Sequence, residues 1–124
     1  ELLFRLEENV KSTKADFFHA ARQLSEKRQN TGLALADAVM AELPELKLDN
    51  ATFIVHHDAH EDHAGVQGID QIEFWVQTNP GSNPGPMKKV ASGGELSRFL
   101  LALNQSRSLF FLSSFKNLIR SLVK

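Results

Sequence analysis

Cysteine is absent from this 124-residue chain, which excludes a disulfide framework, a zinc-thiolate site and a cysteine nucleophile together. Any catalysis has to draw on Ser, His, Asp, Glu, Lys or a bound metal. No apolar run approaches the roughly 20 residues that a membrane span requires, and no signal-peptide pattern opens the chain, so a cytoplasmic protein that touches no membrane is expected. An initiator methionine is missing as well. Glu1 leads straight into LLFRLEENV, a helical pattern entered part-way, so a fragment of a larger protein is expected over a small complete domain.

Acidic residues are missing from positions 96 to 124, which hold five basic residues and carry +5. All 15 acidic residues lie at or before Glu95, against nine basic ones, a balance of −6 hidden inside a net charge of −1. The split implies a basic interaction tail or a C-terminal stretch of different origin from the rest.

What is present begins with periodicity. Leu3, Val10, Phe17 and Leu24 recur every seven residues, with Leu6 and Ala20 on the same stripe. This is a heptad seam about three heptads long, which suits a coiled-coil end or an amphipathic helix packed on a core. SEKRQNTG interrupts it, after which Leu35, Val39 and Leu43 resume the pattern until Pro44 stops it. Residues 1 to 43 read as one long helix, or two joined near Gly32.

ATFIVHH and QIEFWVQT alternate and are rich in β-branched and aromatic residues, the pattern of strands. The polar connection DAHEDHAGVQGID suits an antiparallel pair with a long exposed loop, and NPGSNPGP, with three prolines and two glycines, is turn chemistry throughout. Four of the five histidines fall in HHDAHEDH, among Asp58, Glu61 and Asp62. Imidazole and carboxylate are competent metal ligands, yet His56 and His57 on a strand point to opposite faces, so the spacing favours a solvated loop over a metal site.

The stretch KVASGGELSRFLLAL raises a sharper question. Ser92 followed three residues on by Glu95 matches a capping box, and Leu96, Phe99, Leu100 and Leu103 then form a buried helical stripe. The cap does not need Gly93 and Gly94, each of which costs on the order of 1 kcal/mol against alanine in a helix. Bare backbone at a helix N-terminus admits an anion, and phosphate fits the free amides and the dipole.

ASGGELSR resembles the signature motif of the ABC-type ATPase heads of SMC-like chromosome-maintenance proteins. GIDQIEFWVQTNPGSNPGPMKKVASGGELSRFLLAL, preceded by AELPELKLDNATFIV where a coiled-coil arm returns to the head, is similar to the RecN family of bacterial DNA repair proteins over residues 1 to about 103. The resemblance implies that Ser92 and Gly94 meet the γ-phosphate of ATP held by a second head, in trans, with magnesium supplied by that partner head. Gly93 would allow the approach, Glu95 would lie near the ribose or serve as the cap partner, and Arg98 would support the loop or the engaged surface. It further implies DNA double-strand break repair and recombination through the parent protein, and a nucleoid-associated location.

Two family features are absent. No G-x-x-x-x-G-K-[ST] phosphate loop occurs, and no apolar strand ending in Asp-Glu follows the signature helix. The chain is therefore not expected to hydrolyse ATP alone. The pattern stops near Leu103, and a shifted reading frame or a truncated gene is expected to account for the acid-free tail. In that tail Phe111, Phe115, Leu118, Ile119 and Leu122 make one face and Lys116, Arg120 and Lys124 another, a basic amphipathic pattern suited to nucleic acid, to anionic membrane or to incidental packing.

The expected fold is α+β: a long N-terminal helix, an antiparallel strand pair, a Pro/Gly loop and a C-terminal helix from about Glu95, together a partial ATPase head lobe. Its divisions are a coiled-coil end at 1–43, the partial head lobe with the signature motif at 44–104 and the basic tail at 105–124. The expected partners are a second ATPase head or complementary lobe, DNA through the parent protein, and further copies of this chain through exposed apolar surface. Two other function classes compete: a coiled-coil interaction module in which SGG is only a cap, and a metal-binding domain built on the histidine loop. Nothing in the sequence supports a Ser-His-Asp hydrolase or a dinucleotide-binding enzyme.

Overall fold

The structure, a computed structural model, describes residues 1–122, with side chains as far as Arg107. In chain order it contains α1 (Leu2–Glu42), a 3-10 turn (Pro44–Leu46), β1 (Thr52–Ala59), a second 3-10 turn (Glu61–His63), β2 (Asp70–Gln77), β3 (Gly85–Pro86), α2 (Met87–Val90) and α3 (Gly93–Leu122). The strands form one sheet in the order β1-β2-β3. The mixed helix and sheet agree with the α+β expectation.

α1 is one helix of 41 residues, unbroken at Gly32. That glycine marks a close approach, because a Cβ there would lie 3.0 Å from Val55 Cγ1 on β1. Pro44, which lacks the amide a helix interior needs, ends α1. Lys47 then turns left-handed at φ 59°, and Leu48 N–H reaches back to Leu43 O at 3.0 Å, which satisfies a carbonyl the helix end leaves open.

β3 departs from the sequence reading. Gly85 and Pro86 were expected inside a loop, but they pair antiparallel with Val76 and Trp75. Proline is tolerated there because β3 is the last strand of the sheet. Gly85 is also the one residue that fits: a Cβ on it would meet Val90 Cγ2 at 2.7 Å.

The chain divides into two compact units, one of residues 1–31 and 57–72, the other of 32–56 and 73–124. The second holds the main core, in which Val39 of α1, Leu43 just beyond its end, Phe53 of β1, Val76 of β2, Met87 of α2 and Phe99 and Ala102 of α3 are buried. Each large side chain so buried contributes about 1.5–3 kcal/mol. The stripe expected on α3 needs one correction: Leu96 and Leu103 lie at the core's margin, but Leu100 is 51% exposed and the buried line runs through Phe99, Ala102 and Ser106. Ser106 tolerates burial because its hydroxyl donates to Ala102 O at 2.6 Å.

In the first unit the heptad seam of α1 faces outward. Leu3 and Val10 are 69% and 67% exposed, and the buried positions of this stretch are Ala21 and Ser25 instead. The seam does not pack on a core of this unit. From residue 108 on, the side chains of the basic tail lie outside the described residues, although α3 itself is described to Leu122.

Candidate functional site

Ser92, Gly93, Gly94 and Glu95 stand together at the start of α3. The helix begins at Gly93, two residues before the position expected from sequence, so both glycines belong to its first turn. Ser92 Oγ accepts from Glu95 N–H at 3.4 Å and donates to Glu95 Oε1 at 2.9 Å. This is the capping pair with its return limb altered, since the glutamate takes the serine's hydroxyl proton rather than its amide. The amides of Gly93 and Gly94 have no carbonyl to pair with inside the helix.

Neither glycine is required by the fold. The only positive-φ glycine among the described residues is Gly68, so the conformations at 93 and 94 suit an L side chain. A Cβ built on either would meet nothing within 4 Å, and both residues are exposed. Packing and backbone geometry therefore leave the two glycines unexplained, and the turn presents an open rim of main chain.

Arg98 braces this turn from one helical turn further on. Its Nε donates to Gly94 O at 3.3 Å, and its Nη1 donates to Leu46 O at 3.2 Å and Lys47 O at 3.4 Å. One guanidinium thus joins the start of α3 to the turn that ends α1, using the fork geometry that only arginine offers. Beside it lies a polar cleft of about 210 Å³ lined by Asp49, Asn50, Thr78, Asn79, Glu95 and Arg98.

The histidines disperse. His56 stacks on Trp75 with ring centroids 4.3 Å apart, His57 pairs with Asp70, His60 Nδ1 accepts from Asp62 N–H, and His63 Nδ1 lies 4.0 Å from Asp58. No group of three or more His, Asp or Glu side chains among the described residues is placed to hold a metal ion.

A second polar constellation was not legible in the sequence. The Asp70 side chain, 1% exposed, takes His57 Nε2 at 2.5 Å and Arg28 Nη1 at 2.7 Å. Burial pushes its carboxyl up, but hydrogen bonds from Ser25, His57 and Arg28 outweigh that and hold it below the ordinary value of 3.8. The one local signal is Ser25 and Arg28 three residues apart on a helix face. Nothing local announces a partner 42 residues further on.

Among the described residues no helix is long and apolar enough to cross a membrane. No family model matches the chain. The DNA repair protein RecN of Rickettsia bellii is 43% identical over 91 residues, which is 73% of this chain and 16% of that protein. RecN of Haemophilus influenzae is 37% identical over 83 residues, 67% of this chain and 15% of that protein. RecN of Treponema pallidum is 36% identical over 103 residues, 79% of this chain and 18% of that protein. The chain thus spans less than one fifth of the length of the curated relatives it matches.

Proposed function

Because this chain is a segment related to the RecN proteins, we propose that it serves DNA repair by contributing the turn at Ser92, Gly93, Gly94 and Glu95 to ATP held by a second ATPase head. The observation that carries the reading is the pair of glycines with open space at their Cβ positions, which nothing inside the chain demands. A triphosphate approaching the start of α3 would find the amides of Gly93 and Gly94 and the positive end of the helix dipole. Ser92 would turn its hydroxyl proton from Glu95 Oε1 to a phosphate oxygen, and Arg98 would keep the turn from shifting under the load.

The 124 residues carry no phosphate-loop pattern, so in this reading they complete a nucleotide site that the partner head builds, and that head would supply magnesium and the attacking water. We assign residues 1–43 to the end of a coiled-coil arm, 44–104 to the head lobe and 105–124 to a basic tail. DNA is reached through the parent protein. The outward seam and the exposed Leu100 and Leu101 also favour self-association.

The test mixes the full chain with a nucleotide-binding lobe that carries a phosphate loop and measures ATP-dependent association. Ser92→Arg, which fills the rim with a bulky side chain, should abolish association. Gly94→Ala should weaken it while raising the chain's own stability by about 0.5–1 kcal/mol. Association of the S92R chain at the unaltered level would remove the proposal. The exposed seam favours a second reading, a coiled-coil module, and in that case pairing through residues 1–30 persists whatever stands at 92.

A further inference from the structure

The connection between β1 and β2, residues 60 to 69, is bonded within itself. His60 N–H donates to Ile69 O at 3.2 Å, His63 N–H to His60 O at 3.0 Å, and Gly65 and Gly68 exchange bonds of 2.9 and 3.1 Å. Its attachment to α1 is sparse by comparison. The Arg22–Glu61 pair, at 3.6 Å, joins side chains 58% and 64% exposed, and such surface pairs contribute little. An open cleft of about 400 Å³, lined among others by Arg22, Ser25, Ala59, His60 and Ile69, runs along this connection.

Arg28 is different. One guanidinium nitrogen donates both to Gln67 O at 2.8 Å and to buried Asp70 at 2.7 Å, so it grips the connection and the strand that follows it at once. The chain is shaped around that grip: Gly68 holds φ at +104°, and a Cβ on it would lie 3.2 Å from Arg28 Nη1. We propose that residues 60 to 69 form a strap latched to α1 by Arg28, and that the strap opens as one piece when the latch is lost. Opening would bare Ile69, Ala21 and Ser25, the residues of this unit that are otherwise buried.

Amide hydrogen exchange on the full chain tests this, with peptides covering 60–69 compared against those covering 96–106. Arg28→Gln removes both charge-assisted bonds and should speed exchange in the strap by about tenfold or more, with no change in α3. Arg28→Lys keeps a charge beside Asp70, but its ammonium ends one bond short of the point where Nη1 holds both Gln67 O and Asp70, and it should fall between the two. Unchanged exchange in the strap overturns the proposal. Equal acceleration in strap and α3 overturns it too, because Arg28 would then be a staple of the whole fold. Should R28Q fail to fold, R28K decides alone, and strap exchange at the wild-type rate sinks the idea.

Discussion

Asp70 is a carboxylate with almost no access to water, and it stays ionised because Ser25, His57 and Arg28 all donate to it. A carboxyl whose folded pKa is depressed contributes stability in full above its unfolded value and loses it as pH falls through the folded one. The contribution is thus complete near neutrality and disappears below the ordinary value of 3.8. Thermal unfolding of Asp70→Asn beside wild type should show a large gap in melting temperature at pH 6 that narrows steadily towards pH 2. A gap constant across that range would mean the carboxylate's charge is irrelevant. At this scale the sequence was a poor guide for Asp70 and a good one for Ser92: the capping pair spans three residues, whereas Arg28 and Asp70 are 42 apart.

At the scale of the element, α3 shows how a periodic pattern names a face without fixing its centre. Leu96, Phe99, Leu100 and Leu103 fit one stripe in sequence, but the helix is rotated so that Phe99 is fully buried and Leu100 is half in solvent. Phe99→Ala should therefore cost about 3–5 kcal/mol, while Leu100→Ala, which opens no cavity, should cost well under 1 kcal/mol. Denaturant unfolding of the two variants distinguishes this orientation, since equal losses would place both residues in the core. α1 gives the converse case. The sequence left open one long helix or two joined near Gly32; the helix runs on through that glycine, which serves the close passage of Val55. Gly85 pairs with Val76 in a strand, and there Val90 leaves no room for a Cβ.

For the molecule as a whole, exposed apolar surface is the dominant feature. Leu3, Leu6 and Val10 are each more than half exposed along one seam of α1. A seam of this spacing gains its stability by burial against another helix. In sedimentation velocity the full chain should show concentration-dependent association that Val10→Asp weakens. A monomer at every concentration, unaltered by V10D, would argue that the seam has no role in pairing between copies.

Local spacing alone determined the two long helices, two of the three strands, the cap at Ser92 and the resemblance carried by ASGGELSR, because each rests on residues within one or two turns or pleats of one another. The tertiary structure decided what depends on distant residues meeting: the Asp70 node, the short strand at Gly85, the rotation of α3, and the open space beside Gly93 and Gly94. A chain encodes such meetings only through the summed packing of the whole, and no window of sequence contains them.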